Sequence, residues 1–341
     1  MLALVHQRHG DPAYVLQWAD IDPPPPPPSG HVAVRVTYAA IHPGDLLAIQ
    51  GSPAFGAPPA IAPGGRIPGL EGVGVIEAIG PGVAPHWGLS VGMRVAYFPV
   101  ANGWSARINA PAASLVPVPD DLTEEVAARI LINTISAAMI LRAVHEIVPA
   151  DQRAGATVLQ TGASSAVGRI VTVLLGESGV SAIRLVRSTK SAQALTPAGY
   201  AAPVIATQTA YWKEQLRETV GDREIQVAID GVGGKVLPEI AEALAVGGTI
   251  INYGTLGGSC TDIRLLAPRA LTLKGLTLGH WGLEPEAVRA KDVATALRLA
   301  RDNPELFPVA ATYTPLDVAS ALEHVRRPGR NGAVLLTFQG P

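Results

Sequence analysis

The first third of the chain contains short stretches in which apolar and polar residues alternate, as they do along a half-buried strand. These stretches are HVAVRVTYAAI at 31–41, GVGVIEAIG at 72–80 and MRVAYFPV at 93–100, each bounded by Gly or Pro. Short strands separated by such turn residues predict a barrel-like β domain. Six prolines at 23–28 precede the first strand and predict a stiff polyproline II connector, in preference to a ligand for a proline-binding module.

Beyond Pro119 the pattern changes to helices and strands in alternation. An acidic first turn at 120–125 leads into the apolar helix ILINTISAAMILRAV at 130–144. The elements that follow are ATVLQT (156–161), SAVGRIVTVLLGES (165–178), SAIRLV (181–186), EIQVAID (224–230), KVLPEIAEALA (235–245) and GTIINYG (248–254). This order predicts an α/β fold with a doubly wound parallel sheet.

The C-terminal segment has too few elements to form a domain of its own. It contains an apolar strand at 270–281, an amphipathic helix at 287–302 and a final strand at 332–338. Because 341 residues exceed one ordinary core, we expect two domains. The predicted division is 1–123 for the first segment of the β domain, 124–267 for the parallel-sheet domain, and 268–341 for a return segment that completes the β domain.

Composition narrows the class of protein. Hydrophobic residues make up 48% and charged residues 16%, and the net charge of −2 offers no basic field to nucleic acid or to an acidic membrane. The charged N-terminus is unlike a signal peptide, and Arg129, Asn133 and Arg142 interrupt the most apolar helix, which favours a core helix over a membrane span. We therefore expect a cytoplasmic protein. Its single cysteine, Cys260, excludes an internal disulfide and is expected to be a small buried side chain.

The turn TGASSAVG, after the strand at 156–161, predicts a nucleotide site. A helix that begins just beyond a strand offers free N–H groups and a positive dipole end to a pyrophosphate. Ala163, Ser165 and Gly168 occupy the glycine positions of the G-x-G-x-x-G fingerprint, so two glycines are missing and an ordinary βα turn is an equal alternative. The residues expected to contact the cofactor here are Ala163, Ser164, Ser165, Ala166, Val167 and Gly168.

The end of the next strand favours NADPH over NADH. Enzymes that use NAD place a carboxylate there to bind the ribose 2′-hydroxyl, whereas this strand ends in Arg187-Ser188-Thr189-Lys190. Arg187, Ser188 and Lys190 would suit a 2′-phosphate, although a solvated basic loop is a common alternative. The turns that follow the strands at 224–230 and 248–254 also belong at this edge of the sheet. Further cofactor-binding candidates are Gly231, Val232, Tyr253, Gly254, Thr255 and Leu256 in those turns, with Asn133 and Ser136 on the apolar helix.

The order of these motifs resembles the medium-chain dehydrogenase/reductase superfamily, in its quinone oxidoreductase and 2-enoyl thioester reductase branch. The resemblance covers nearly the whole chain and is best to mitochondrial-type enoyl thioester reductases. It is carried by IHPGDLLAIQG (41–51), PGLEGVGVIEAIGPGV (68–83), LQTGASSAVG (159–168), DGVGGK (230–235), GGTIINYGTLGG (247–258) and LKGLTLGHW (273–281). It implies a GroES-like catalytic domain, a Rossmann domain, and hydride transfer from NADPH to a quinone or an activated C=C bond.

The zinc-dependent members of this superfamily differ from this chain at their ligand positions. Leu70 stands where their Gly-His-Glu motif has histidine, and the segment around His42 lacks their ligand cysteine. The resemblance therefore implies a reductase without zinc. His42, Asp45 and Glu71 are the residues from which a metal site is conceivable, but such residues more often serve turns and domain packing.

The family's substrate-side tyrosine is also missing, because its loop reads Gln50-Gly51-Ser52-Pro53-Ala54-Phe55. Candidates for the missing donor are His42, Ser52 and His280; His42 comes first because its segment matches the family's asparagine beside the nicotinamide. Structural packing is an equal alternative for each. Phe55 and Ile61 predict an apolar wall, which favours quinones or enones over enoyl thioesters.

Two further expectations complete the sequence-based account. The partner is expected to be a small-molecule substrate, and the resemblance implies a homodimer that pairs the edge strands of its Rossmann sheets near LTLKGLTLG. The alternative function is an NADPH-binding sensor or structural protein with little turnover, which the missing tyrosine favours and the retained nicotinamide-end segments disfavour.

Overall fold

The computed structural model describes residues 1–52, 58, 60–195, 202–258 and 262–339. Within them the chain divides into two compact units. Unit 1 comprises Met1–Ile132 and Val293–Pro341, and unit 2 comprises Asn133–Asp292. Phe55 and Cys260 lie outside the described residues.

The strands are numbered in chain order. They are β1 (Leu2–His6), β2 (Leu16–Asp20), β3 (His31–Ala40), β4 (Gly72–Ile79), β5 (Arg94–Tyr97), β6 (Arg107–Pro111), β7 (Leu115–Pro117), β8 (Thr157–Gln160), β9 (Ser181–Val186), β10 (Val204–Ala206), β11 (Val227–Asp230), β12 (Thr249–Asn252), β13 (Thr272–Gly275), β14 (Val309–Tyr313) and β15 (Ala333–Thr337).

The α-helices are numbered in the same way, and several short 3₁₀ turns join the elements. The helices are α1 (Pro12–Val15), α2 (Pro43–Gln50), α3 (Glu124–Ala127), α4 (Ile130–Ile147), α5 (Ala166–Glu177), α6 (Thr189–Leu195), α7 (Trp212–Val220), α8 (Leu237–Glu242), α9 (Glu286–Asp302) and α10 (Val318–Arg326).

Unit 1 is built on a seven-stranded sheet in the order β14-β15-β3-β4-β5-β7, with β6 paired to β3. The alternating pattern of β3 puts Val32, Val34 and Val36 into a core that also holds Tyr97 and Trp104. β3 pairs antiparallel with β4 in a register that sets Ala39 opposite Gly72. That register brings the residue that follows β3 and the residue that precedes β4 to the same end of the sheet.

Unit 2 is a six-stranded parallel sheet in the order β10-β9-β8-β11-β12-β13. Counted within the unit this is the order 3-2-1-4-5-6 of doubly wound dinucleotide-binding folds, so the predicted α/β class with a doubly wound parallel sheet is confirmed. Strand β10 and helices α6 and α7 were not predicted. Three residues are too few to show a period of two, and the sequence around α7 is mostly polar.

The unit boundaries fall later than the sequence suggested. The predicted strand at 270–281 is confined to β13, which pairs parallel with β12 and so belongs to unit 2, while Leu278–Leu283 forms a 3₁₀ helix. The predicted limits at 123/124 and 267/268 therefore give way to 132/133 and 292/293, which lie inside α4 and α9.

Helix α4 is long and apolar enough to cross a membrane by length and composition, with a mean hydropathy of 1.4 over 18 residues. About two thirds of that stretch, 67%, is buried, as in the core helix of a folded protein. The proline run forms neither helix nor strand. Pro24 and Pro27 are half-buried and the other prolines are exposed, a spacing of three that fits polyproline II geometry.

Candidate cofactor site and candidate active site

The turn after β8 presents the N-terminus of α5 at the carboxyl edge of the parallel sheet. Ser165 is the N-cap, and its hydroxyl accepts a hydrogen bond from the Gly168 N–H at 3.0 Å. A Cβ at position 168 would lie 2.3 Å from the Gly162 carbonyl oxygen and 2.9 Å from the Ala163 Cα. Only the third glycine of the fingerprint is therefore sterically required, which explains why Ala163 and Ser165 are tolerated at the other two positions.

Arg187, Ser188 and Lys190 follow β9, the strand next to β8. Arg187 and Lys190 are exposed, and neither forms an ion pair with a carboxylate of the described residues. The Ser188 hydroxyl accepts a hydrogen bond from the Ser191 N–H at 3.2 Å and so caps α6. Two free cations and a hydroxyl thus surround the start of a helix where dinucleotide folds bind the adenosine ribose.

The turns after β11 and β12 are organised by one buried carboxylate that sequence reasoning did not single out. Asp230 has no exposed surface. It accepts hydrogen bonds from the Thr161 hydroxyl at 2.6 Å, from Nδ2 of Asn252 at 2.8 Å and from the N–H groups of Val232 and Gly233 at 3.1 Å. This network joins the ends of β8, β11 and β12, on both sides of the point where the strand order reverses.

Two of the predicted glycines are explained by contacts between these turns. A Cβ at Gly231 would lie 2.3 Å from the Tyr253 hydroxyl, and a Cβ at Gly254 would lie 2.6 Å from the Gly231 carbonyl oxygen. Burial raises the pKa of Tyr253 to about 12, and among the described residues its buried hydroxyl has no hydrogen-bond partner. The hydroxyl of Tyr253 therefore stays protonated next to the turn at Gly231.

The remaining cofactor candidates lie in the same unit. Val232 borders the turn at Gly162, where a built Cβ would be 3.4 Å from its side chain, while Thr255 and Leu256 are exposed. Asn133 is buried and Ser136 half-buried, one turn apart on α4. Ser164, Ala166 and Val167 are half-buried at the start of α5.

The candidate active-site residue His42 lies in unit 1, where β3 leads into α2. Its backbone N–H donates to Oδ2 of Asp45 at 2.9 Å, which caps the helix. Its Nε2 lies 2.6 Å from Oε2 of Glu71. Oε1 of Glu71 accepts the backbone N–H groups of Leu131, at 2.6 Å, and Ile132, at 3.0 Å, in the first turn of α4.

Of the other two catalytic candidates, Ser52 lies away from His42 within unit 1, and His280 belongs to the other unit. Ser52 is half-buried just beyond the C-terminus of α2, so the helix of eight residues, about 12 Å long, separates it from His42. His280 belongs to unit 2 and is exposed on the Leu278–Leu283 helix, whose Trp281 donates to Asp292 at 2.9 Å. Ile61 of the predicted apolar wall is half-buried.

The partnership of His42 with Glu71 was missed by sequence reasoning, which named His42 as a candidate donor and assigned Glu71 to turns or packing. The signal was the position of each at one end of paired strands, His42 after β3 and Glu71 before β4.

The contacts of His42, Asp45 and Glu71 also bear on metal binding. Asp45 and both oxygens of Glu71 are engaged with backbone N–H groups or with His42, and the described residues contain no group of three or more His, Cys, Asp or Glu that could hold a metal ion.

Comparisons with known proteins agree with this architecture. The family described as alcohol dehydrogenase GroES-like domain matches residues 28–120, and the family described as zinc-binding dehydrogenase matches residues 166–301. Mitochondrial enoyl-acyl-carrier-protein reductase from Bos taurus is 28% identical over 343 residues, covering 98% of this chain and 88% of the relative.

Solved structures show the same likeness. A candidate NADPH:quinone reductase from Bacillus thuringiensis has a TM-score of 0.84 at 26% identity, covering 99% of both chains. A mycobacterial protein complexed with NADPH has a TM-score of 0.84 at 25% identity, covering 99% of this chain and 100% of that one. The chain belongs to the medium-chain dehydrogenase/reductase superfamily of oxidoreductases, in the branch that contains quinone oxidoreductases and enoyl reductases.

Proposed function

We propose that this protein is a zinc-independent reductase that uses NADPH to reduce a quinone or an activated C=C bond of a small molecule. The observation that carries the proposal is the pair of exposed cations at the end of β9, Arg187 and Lys190, which form no ion pair within the described part of the chain and stand where NAD enzymes have a carboxylate. The relatives support it, since one is an enoyl reductase and one structure contains NADPH.

The residues present fit this cofactor. Arg187, Ser188 and Lys190 would bind the 2′-phosphate, and the N–H groups of residues 163–168 would bind the pyrophosphate at the dipole of α5. The required glycine at 168 keeps the turn close to the strand. Tyr253, Gly254 and Val232 would border the nicotinamide end. When bound, NADPH supplies the hydride, and the protein orients it.

Zinc independence rests on the chemistry of the side chains that replace the zinc ligands. Leu70 has no donor atom, and a metal at His42 or Glu71 would have to break the 2.6 Å contact between them and the cap of α4. Stoichiometric zinc in the purified protein, with activity that a chelator removes, would contradict this part of the proposal.

The cofactor preference is tested by comparing dissociation constants for NADPH and NADH. A charge-assisted contact to a phosphate contributes roughly 1.5–3 kcal/mol. Arg187→Ala should therefore weaken NADPH binding about tenfold or more and leave NADH binding nearly unaffected. Lys190→Ala should have the same effect, but a weaker one. Arg217→Ala, an exposed arginine on α7, is the matched control. Equal losses for both cofactors would show that these residues do not read the 2′-phosphate.

The acceptor preference follows from the missing tyrosine. A thioester enolate needs a donor at its oxygen, and removal of one such donor costs on the order of 100-fold in turnover. We expect quinones or simple enones to exceed short enoyl thioesters in kcat/KM, measured side by side. A thioester that exceeds both by tenfold would show that another side chain replaces the tyrosine.

A further inference from the structure

The residue that follows β12 is a tyrosine whose buried hydroxyl lacks a hydrogen-bond partner. Tyr253 comes directly after Asn252, and its side chain as a whole is half-buried. Its hydroxyl oxygen is covered and forms no hydrogen bond with any of the described residues. Buried hydroxyl groups nearly always have a partner, because an unsatisfied one has lost its hydrogen bonds to water without replacement. Such a group is a candidate for contact with a ligand.

The phenol of Tyr253 extends from β12 across the turn after the neighbouring strand β11. A Cβ built at Gly231, the first residue of that turn, would lie 2.3 Å from the hydroxyl oxygen and 2.4 Å from the ring carbon Cζ. The Gly231 N–H donates to the Thr161 hydroxyl at 3.0 Å, which joins this turn to the one after β8. The tyrosine hydroxyl therefore lies where the paired strands β8 and β11 end.

This position is the point at which the strand order of unit 2 reverses. The order β10-β9-β8-β11-β12-β13 changes direction between β8 and β11, and a dinucleotide crosses the crevice at the carboxyl ends of such strands. Arg187 lies on the β9 side of this crevice and Tyr253 on the β11 side. Ser165, the N-cap of α5, is among the groups that act on the pKa of Tyr253, so the hydroxyl is also close to the predicted pyrophosphate turn.

The hydroxyl of Tyr253 has a proton to donate. Burial, with a smaller contribution from the charge of Asp230, raises its pKa to about 12. The Asp230 carboxylate already accepts hydrogen bonds from Thr161, Asn252 and two backbone N–H groups. A protonated donor therefore stands at the crevice, and the described part of the chain supplies no acceptor for it.

We propose that the Tyr253 hydroxyl is a cofactor contact, which donates a hydrogen bond to a ribose or phosphate oxygen in the nicotinamide nucleotide half of the bound dinucleotide. A small rotation of the phenol brings the covered hydroxyl to the ligand, and Gly231 permits it because no side chain stands there. The proposal rests on the proposed function and deepens it, since it assigns a donor to the half of the cofactor that NADPH and NADH share.

Removal of this hydroxyl should affect binding and stability differently. A hydroxyl that stabilises the fold would leave its partner unsatisfied in Tyr253→Phe, and the urea midpoint of unfolding would fall. A hydroxyl reserved for the cofactor leaves no protein group unsatisfied. We therefore expect the midpoint of the cofactor-free variant to be unchanged or higher, while its affinity for the cofactor falls.

The test is calorimetric titration of the wild type and Tyr253→Phe with NADPH, NADH and adenosine 2′,5′-bisphosphate, which lacks the nicotinamide nucleotide. We expect both dinucleotides to bind about three- to tenfold more weakly to the variant. The bisphosphate should bind equally to both proteins. Tyr211→Phe, at a tyrosine that is 78% exposed, is the matched control and should change none of these constants.

Several results would overturn the proposal. A lower urea midpoint for Tyr253→Phe, or a variant that does not fold, would show that the hydroxyl has a structural partner. Unchanged affinities for both dinucleotides, or an equal loss for the bisphosphate, would also contradict it. Wild-type protein that binds neither dinucleotide would overturn the proposed function as well. A wild type that prefers NADH would contradict the proposed cofactor preference alone, because an equal loss of both dinucleotides in Tyr253→Phe would still support the contact.

Discussion

Asp230 in unit 2 and Glu71 in unit 1 are both carboxylates without exposed surface, yet their surroundings differ in one respect. Asp230 meets only neutral donors: a hydroxyl, an amide and two backbone N–H groups. Glu71 meets two backbone N–H groups and an imidazole. One buried carboxylate therefore holds the turns of the cofactor site together in unit 2, and the other binds an imidazole in unit 1.

The largest expected effect is at Asp230. Asp230→Ala would leave the Thr161 hydroxyl, the Asn252 amide and two N–H groups without their acceptor, and each buried unsatisfied donor costs about 1–3 kcal/mol. We expect a loss of roughly 4 kcal/mol in the free energy of unfolding, measured in urea by circular dichroism. Asp222→Ala, an exposed position, is the control. A loss below about 1 kcal/mol would show that the network is not structural.

The cluster of His42, Asp45 and Glu71 in unit 1 should instead show itself in the pH dependence of stability. Burial raises the pKa of Asp45 from 3.8 to about 6, so the folded state holds this proton more tightly than the unfolded state. The contribution of Asp45 to the free energy of unfolding is fully present below pH 3.8 and is lost as pH rises through about 6. Asp45→Asn should remove a fall of roughly 2–3 kcal/mol in the free energy of unfolding over this pH window. The measurement is urea unfolding at several pH values. An unchanged slope would mean that Asp45 is ionised without penalty.

A substitution at Gly168 tests whether the turn after β8 binds the cofactor through its shape alone. Gly168→Ala forces a Cβ to within 2.3 Å of the Gly162 carbonyl oxygen, and such overpacking costs typically 1–3 kcal/mol. We expect NADPH binding to weaken about tenfold or more, with NADH weakened equally, since the pyrophosphate turn is common to both. Gly282→Ala, where a Cβ meets nothing within 4 Å, should leave both affinities unchanged. A selective loss of NADPH would contradict the steric account.

The smallest expected effect on activity comes from the edge of the parallel sheet. We propose a homodimer formed through β13, an edge strand whose Leu273 is 47% exposed. Leu273→Lys should yield monomers by light scattering at micromolar concentration, with NADPH affinity retained. Wild-type protein that is monomeric under those conditions would reject the proposal.

The sequence predicted unit 2 better than unit 1. Its βα alternation depends on local periodicity, and the Arg187 and Lys190 positions follow from strand ends alone. The unit boundary at 292/293 was missed because β13 is only four residues long, and its pairing with β12 depends on distant residues. The contact of His42 with Glu71 depends on the register of β3 and β4, which the pattern of the separate strands does not contain.

The most direct test of the central claim is the steady-state oxidation of NADPH and NADH by the purified, chelator-treated protein with a small quinone and a simple enone. The account predicts turnover with NADPH, a kcat/KM for NADPH at least about tenfold above that for NADH, and no recovery or gain on adding zinc. NADPH binding without turnover on any acceptor would contradict it and favour a cofactor-binding sensor. Equal use of the two cofactors would contradict the role given to Arg187 and Lys190.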